Sequence, residues 1–206
     1  MIGYSVKQIE YDDTKPFILD IHYAKRMPSI SYAYGLFCEN KLVGIVSYGS
    51  PASPSLCKGV AGLENKSIVL ELNRLVLKYN NKNEASYLVG NSLKLLPKPK
   101  IIVSYADTKQ DHVGFIYQAT NFLFTGTSKP RTDMAGKDGK HSRHNLGDRT
   151  KRVFRSSKHR YIYIIANKKD KKQLLKDLKY PLMGYPKNNA EIKMEGKYEK
   201  FNRNFY

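Results

Sequence analysis

The chain has 206 residues and a formal net charge of +18. This length suits one domain, and so strong a positive charge indicates a polyanionic partner, most often nucleic acid and less often an anionic membrane. No apolar run approaches the roughly 18 residues that span a bilayer, and no signal-peptide pattern opens the chain, so we expect a soluble cytoplasmic protein.

The N-terminal elements predict a strand followed by a helix. Ile2–Ile9 alternates loosely, as an edge strand does. Asp12–Pro16 offers capping side chains and a first-turn proline, which predicts a helix over Phe17–Arg26 that ends before Pro28.

His22 lies within this predicted helix. Spacings of three and four residues place Ile18, Ile21 and His22 near one face. His22 is either a histidine at the edge of the core, bonded to a backbone carbonyl, or a residue presented to a site.

A hairpin follows, with strands over Tyr32–Cys38 and Lys41–Tyr48 joined by the turn residues Glu39 and Asn40. Residues 51–66 are rich in Pro, Ser and Gly, which predicts a loop with at most a turn of helix near residues 60–62.

The strand predicted over Ile68–Leu77 contains polar residues inside an apolar run. Regular alternation places Glu71 and Arg74 on opposite faces. An unpaired buried arginine is costly, so Arg74 either pairs with an acid or a ligand, or a bulge at Asn73 turns it towards the side of Glu71.

A polar loop then leads into a helix that begins at Glu84 or Ala85 and ends near Leu96. Its periodicity points Ser92 towards the sheet. The first N–H groups of such a helix can bind a phosphate or carboxylate, and Ser86 can add a hydroxyl donor. An ordinary β–α turn without a ligand fits the same residues. The loop lacks a glycine-rich phosphate fingerprint.

Asp107 ends the next predicted strand, Ile101–Asp107, at the rim where open α/β sheets bind ligands. Asp111 can cap a following helix that contains His112 and Tyr117. Asp107, His112 and Tyr117 then converge at the rim; alternatively, Asp107 is a cap and Tyr117 a core aromatic.

The composition changes over residues 129–160, which form a basic arm with three of the five histidines. Such an arm can lie along phosphates. The residues that we predict to contact DNA are Lys129, Arg131, Arg143, Arg149, Lys151, Arg152 and Arg155. We predict no metal site, because neither His141 and His144 nor the two cysteines show a complete set of metal-ligand spacings.

A last strand over Arg160–Ile165 precedes a helix over Lys168–Lys179, capped by Asn167. The predicted organisation is a single catalytic domain over residues 1–185 and a polar tail over 186–206. The fold class is α/β, with a mixed central sheet flanked by helices and a basic insertion before the last strand.

This order of elements resembles the GNAT acyltransferase fold. Several local motifs resemble the Mom family of phage DNA-modification proteins, which is related to GNAT enzymes. The motifs, spread over roughly residues 20–127, are His22-Tyr23, Glu71–Leu75, Ala85–Gly90, Ser104–Asp107 and His112–Phe122, followed by Gly126.

The Mom resemblance implies that a carbamoylmethyl (acetamido) group is added to adenine N6 in double-stranded DNA, which protects phage DNA from host restriction enzymes. It implies catalytic roles for His22, Arg74, Asp107 and Tyr117, and it makes Ser86 or Ser92 the serine candidate. The adenine has to leave the duplex, and a homodimer is one possible assembly. Tyr48 and Tyr105 are candidates to stack on the flipped base.

The same resemblance leaves the group donor open. The loop before Ala85 lacks the usual GNAT signature for coenzyme A, and an acetamido group joined through its methylene carbon does not come from simple acetyl transfer. Acetyl-CoA or another acyl- or glycyl-type donor, held at Ala85, Ser86 and Ser92, is compatible with the sequence.

Two other functions fit part of the sequence. A GNAT acyltransferase acting on RNA or a small amine should bind coenzyme A tightly at the helix that starts near Ala85. A non-enzymatic nucleic-acid-binding protein should depend on the basic arm alone, and changes at His22, Asp107 or Tyr117 should then have no effect.

Overall fold

The computed structural model describes residues 2–134 and 152–187. Its strands are β1 (Tyr4–Gln8), β2 (Tyr32–Cys38), β3 (Lys41–Gly49), β4 (Val69–Leu77), β5 (Lys100–Asp107), β6 (Leu123–Thr127), β7 (Arg131–Met134), β8 (Arg152–Arg155) and β9 (Lys158–Ile165). Its α-helices are α1 (Tyr11–Pro16), α2 (Pro54–Ala61), α3 (Glu84–Leu95), α4 (Phe115–Ala119) and α5 (Lys168–Asp177).

Seven strands form one mixed sheet in the order β1-β2-β3-β4-β5-β9-β6. The first four strands are antiparallel neighbours, whereas β4 and β5 run parallel and are connected through α3. β7 and β8 form a separate antiparallel pair. The predicted mixed sheet with flanking helices and a basic segment before the last strand is confirmed.

The chain divides into two compact units. The first contains the described residues of 1–104, 115–126 and 161–183, and the second those of 105–114, 127–160 and 184–206. The single catalytic domain over residues 1–185 stays a prediction.

The predicted hairpin is confirmed in both strands and in its turn. Glu39 and Asn40 have φ angles of 48° and 63°, the left-handed conformation that a two-residue hairpin turn needs. The predicted edge position of the first strand is also confirmed, because β1 pairs with β2 and stands at the end of the sheet that the described strands form.

The first helix differs from its prediction. α1 begins at Tyr11, and the chain continues as a π-helical turn over Phe17–Ile21 that ends at His22. A π turn has a wider spacing than 3.6 residues, so Ile18 is fully buried while Ile21 is 47% exposed. The prediction that a regular helix places Ile18 and Ile21 near one face is therefore wrong.

The loop predicted over residues 51–66 is in part a helix. Ser53 caps α2 by accepting a hydrogen bond from the backbone N–H of Leu56. The helix ends at Gly62, whose φ of 79° favours glycine. The Pro, Ser and Gly content of this segment predicted a loop, but eight of its residues form a helix.

The helix predicted to contain His112 begins only at Phe115. Thr108–Gln110 forms a 3₁₀ turn, and Asp111 and Gly114 both have positive φ angles, so a continuous helix cannot pass through them. Asp111 ends the 3₁₀ turn instead of capping α4, and the predicted cap is wrong.

The C-terminal elements follow the prediction closely. Asn167 caps α5 by accepting from the backbone N–H of Asp170, and Leu174 is buried on its apolar face. None of the helices that the structure describes has the length and apolar character needed to cross a membrane.

Candidate active site at the bulge in β4

A β-bulge in the middle of β4 sets the geometry of the site. Arg74 pairs with Ser47 and Leu72 with Tyr48, so Asn73 is the extra residue. The bulge shifts the alternation by one, which brings Arg74 to the side of Glu71. The predicted bulge at Asn73 is confirmed.

The Asn73 side chain ties this bulge to neighbouring segments. Its Oδ1 accepts a hydrogen bond from Ser47 Oγ at 2.7 Å, and its Nδ2 donates to the carbonyl of Ser29 at 2.7 Å. The Ser29 carbonyl lies so close to Gly49 that a Cβ there would collide with it. The segment after His22 is therefore held firmly against β3 and β4.

Arg74 is half-buried, and only some of its hydrogen-bond donors have partners. Its two terminal nitrogens donate to the carbonyls of Asn73 at 2.6 Å and Arg26 at 2.9 Å. Its Nε is buried and lacks a hydrogen-bond partner within the described part of the chain. A buried donor left without a partner is costly, which makes this N–H a candidate contact for a substrate oxygen.

His22 lies beside Arg74 and is neutral at physiological pH. Burial, and then the positive charge of Arg74, lower the pKa of His22 to about 4. Its Nδ1 accepts a hydrogen bond from the backbone N–H of Ala24 at 3.0 Å, so the ring proton is on Nε2. His22 thus offers an N–H donor without a positive charge.

Tyr117 brings a protonated phenol to the same unit. Its hydroxyl is hydrogen-bonded to Ser104 Oγ at 2.8 Å, and Ser104 also contacts the carbonyl of Leu72 at 3.0 Å. Burial raises the pKa of Tyr117 to about 12, with smaller contributions from Tyr23 and Glu71. Tyr117 is also in part the core aromatic of the alternative prediction, since the centre of its ring lies 5.3 Å from that of Phe122.

Tyr48 and Ser92 form a buried pair inside the core. Tyr48 is fully buried, and its hydroxyl lies 2.6 Å from Ser92 Oγ. The predicted stacking of Tyr48 on a flipped base is wrong, because no face of the ring is accessible. Ser92 points towards the sheet as predicted; its role as a cofactor contact stays a prediction.

A groove of about 410 Å³ runs along the exposed side of α3. Ser86, Lys94, Tyr163 and three asparagines contribute to its lining. Asn83 precedes α3 in the left-handed conformation and makes no side-chain cap, so the first N–H groups of the helix have no capping side chain. Of the three predicted cofactor contacts, Ser86 lines this groove.

Glu84 is a buried carboxylate in the first turn of α3. It accepts hydrogen bonds from Tyr4 Oη at 2.8 Å and from the backbone and side chain of Asn81. Burial alone would raise the pKa of Glu84, but the hydrogen bonds from Asn81 and Tyr4 outweigh it and hold the pKa below its ordinary value. Glu84 therefore ties β1 to α3 as an anion.

We expect Glu84 to contribute stability that depends on pH. Because its pKa is lower in the folded state, the contribution is present above the unfolded pKa of about 4.3 and is lost as pH falls through the folded pKa. Urea unfolding of Glu84→Gln should show a flatter loss of stability on acidification than the native chain. Glu64→Gln, at an exposed carboxylate, is the control and should follow the native curve.

Asp107 belongs to the second unit, where its carboxylate has several partners. It accepts hydrogen bonds from Ser156 Oγ and from the backbone N–H of Lys109, and it lies 3.2 Å from Lys158 Nζ. Burial raises the pKa of Asp107, but Ser156 and Lys158 lower it more, so the net pKa is below its usual value. Asp107 caps the 3₁₀ turn, as the structural alternative predicted; its catalytic role stays a prediction.

The predicted DNA contacts are described only in part. Lys129 and Arg152 are exposed, whereas Arg131 and Arg155 lie within 3.4 Å of Asp133 in the β7–β8 pair. Arg143, Arg149 and Lys151 lie outside the described residues, as do His141 and His144.

The site also contains residues that the sequence pattern did not single out. Tyr23 is 70% exposed and stacks on His22 with ring centres 4.3 Å apart. Ser104 holds the Tyr117 hydroxyl. Both occur inside the quoted motifs, but only the fold shows which of the motif residues face the site and which support it.

The architecture is that of the GNAT acetyltransferases, and solved structures share it. A probable acetyltransferase from Staphylococcus epidermidis aligns over 79% of this chain and 99% of its own, with 9% identity and a TM-score of 0.50. The Salmonella typhimurium protein yncA, solved with acetyl-CoA, aligns over 80% and 95%, with 9% identity and a TM-score of 0.50. At this identity the similarity defines the fold class.

The family match is more specific than the fold. The model of the Mom protein family matches residues 3–187, so the chain belongs to the Mom protein family. The methylcarbamoylase mom of Escherichia phage Mu is 28% identical over 138 residues. This alignment covers 62% of the chain and 57% of the phage Mu protein, so the chain matches little more than half of that relative.

Proposed function

We propose that this protein is a DNA-modifying transferase that adds a carbamoylmethyl group to N6 of adenine in double-stranded DNA. The observation that carries the proposal is the match of the Mom family to residues 3–187. The name of the phage Mu relative, a methylcarbamoylase, and the net charge of +18 support the same function. The modification would protect phage DNA from restriction enzymes inside the host cell.

The chemistry explains why such a site needs several polar groups. The lone pair of adenine N6 is delocalised into the ring, so N6 is a poor nucleophile. A bond from N6 to the methylene carbon of the incoming group forms as N6 loses a proton and as the bond from that carbon to the leaving group of the donor breaks. In this proposal the ionised Asp107 accepts that proton, in the role that the family resemblance gave it.

Three hydrogen-bond donors can stabilise charge in this reaction. They are the Nε–H of Arg74, the Nε2–H of neutral His22 and the protonated hydroxyl of Tyr117. Donors that are fixed before the reaction stabilise developing charge without reorganising. We assign them to the oxygen of the carbamoylmethyl group and to the leaving group of the donor.

Base flipping follows from the position of N6 in the duplex, where it takes part in base pairing. A flipped adenine needs an aromatic surface, and Tyr23 supplies an exposed ring stacked on His22. Tyr23 therefore replaces Tyr48 as the proposed stacking residue. Tyr105 is half-buried and keeps its predicted role.

The groove along α3 is the proposed binding site for the group donor. Its size, the absence of a side-chain cap before the first turn, and Ser86 suit a phosphate-bearing donor such as a coenzyme A derivative. The Glu84 carboxylate does not compete with a donor phosphate for the first N–H groups of α3, since its oxygens accept hydrogen bonds from Tyr4 and Asn81. When bound, such a donor would supply a methylene carbon that carries a leaving group, and this carbon would become bonded to N6.

Nucleoside analysis tests the proposed function. DNA from bacteria that express the chain would be digested and its deoxyadenosine measured by mass spectrometry. We expect a product heavier by one carbamoylmethyl group, and none from cells that carry the empty vector. Unmodified deoxyadenosine alone, from cells with folded protein, would contradict the proposal.

The GNAT fold supports a second candidate, an acetyltransferase on RNA or a small amine. The two functions differ in the mass that is transferred, because an acetyl group lacks the amide nitrogen of a carbamoylmethyl group. Acetylated RNA or amine, with unmodified DNA and tight binding of acetyl-CoA in calorimetry, would favour this second function.

A further inference from the structure

A second basic surface is formed by residues outside the predicted arm. A groove of about 210 Å³, here called the Tyr163 groove, runs between the C-terminal half of α3 and the end of β9. Its lining residues are Leu93, Lys94, Lys98, Tyr163, Ile164, Ile165, Ala166 and Lys171. Three of these are lysines and none is acidic, so the groove has a positive charge.

The positive charge continues along α5. This helix carries lysines at 168, 169, 171, 172 and 176, all exposed, and only two acidic residues. Asp170 is hydrogen-bonded to Asn167 and Asp177 to Gln173 and Asn65, so amides rather than lysines hold both carboxylates. Most of the lysine charge on α5 is thus available to an external anion.

Tyr163 adds an aromatic ring to this surface. Lys171 Nζ lies 5.7 Å from the ring centre, within the range of a cation–π contact, and Lys94 Nζ lies 3.3 Å from Asn91 Oδ1. Neither contact neutralises a charge. Both hold a lysine beside the groove while its ammonium group stays positive.

The chemistry of the surface selects its partner. A small anion would need convergent, buried donors, whereas these lysines are exposed and extend over α3 and α5. A lipid surface would need an apolar helix face turned outwards, but Leu174 of α5 is buried at 6% exposure. A row of separate ammonium groups suits the phosphates of a nucleic acid backbone.

We propose that the Tyr163 groove and the exposed lysines of α5 bind the phosphate backbone of double-stranded DNA. The inference deepens the proposed function, since DNA is the proposed substrate, and it assigns a DNA-binding surface outside residues 129–160. The surface is made of lysines and contains no arginine guanidinium that could form bidentate hydrogen bonds with base edges. It therefore binds DNA without regard to sequence.

Binding measurements test this surface without any turnover. The triple variant Lys94→Gln, Lys98→Gln, Lys171→Gln would be compared with Lys7→Gln, Lys15→Gln, Lys41→Gln, which loses the same charge from exposed positions on β1, α1 and β3. Affinity for a synthetic duplex would be measured by fluorescence anisotropy over a range of salt concentrations. Thermal melting would verify that both variants are folded.

We expect the groove variant to bind DNA more weakly and the control to bind like the native chain. Each lysine that no longer neutralises a phosphate should reduce the slope of log K against log salt by about 0.9, so the triple variant should reduce it by about 3. Equally weakened binding in both variants would mean that net charge alone matters, and unchanged binding in the groove variant would also overturn the proposal. Weaker binding only to anionic vesicles would assign the surface to a membrane instead.

The two proposals fail separately. One outcome is that cells expressing the native chain show no modified deoxyadenosine while the groove variant still loses affinity for the duplex. In that case the proposed reaction is wrong and the DNA-binding surface stands. If the DNA is modified but the groove variant binds the duplex normally, the surface is wrong and the reaction stands.

Discussion

Arg74→Met is expected to lower the yield of modified deoxyadenosine by at least about 100-fold, the loss typical of removing one donor that stabilises a transition state. The substitution removes the buried Nε–H and the positive charge beside His22. Arg74→Lys should fail as well, because an ammonium group cannot reach the carbonyls of Asn73 and Arg26 and keep a third donor in place.

Arg26→Met is the matched control for this prediction. Arg26 contributes its backbone carbonyl to the hydrogen bond with Arg74, and its side chain is exposed, so the product should persist. Melting curves separate catalysis from stability, since each of the two hydrogen bonds lost at Arg74 costs about 1 kcal/mol of stability. Native levels of product from a folded Arg74→Met variant would remove Arg74 from the mechanism.

Asp107→Asn is expected to abolish the product while leaving the fold intact. The amide oxygen of asparagine can still accept from Ser156 and from the N–H of Lys109, but it cannot accept a proton from adenine. Ser156→Ala provides the complementary control, because it breaks one anchoring hydrogen bond and keeps the carboxylate. That variant should melt at a slightly lower temperature and still modify DNA.

The two possible roles of Asp107 give opposite results in this comparison. If Asp107→Asn retains the product and Ser156→Ala loses it, then Asp107 serves to anchor the turn between β8 and β9 and is not a proton acceptor. Nucleoside mass spectrometry and thermal melting of the two variants, measured side by side, decide between the roles.

The part of the fold that depends on local pattern was predictable. The cost of burying an unpaired arginine limited the choices at Arg74, and one of them, the bulge at Asn73, is the observed one. The periodicity of α3 likewise placed Ser92 on the buried side. In both cases a strong local energy term left few alternatives.

Other features depend on backbone conformations that the residue types do not dictate. Asp111 adopts a positive φ that any Asp can avoid, and the start of α4 moves to Phe115 as a result. The π turn before His22 has no distinctive composition. Tyr48 lies near the end of β3 and Tyr23 lies in a turn, and the first is fully buried while the second is 70% exposed, because tertiary packing decides accessibility.

The strand order has a consequence for synthesis of the chain on the ribosome. β6 is made before β9, yet in the sheet β9 lies between β5 and β6. The edge of β6 that β9 will occupy therefore stays unpaired until residues 158–165 emerge, and an unpaired strand edge promotes aggregation.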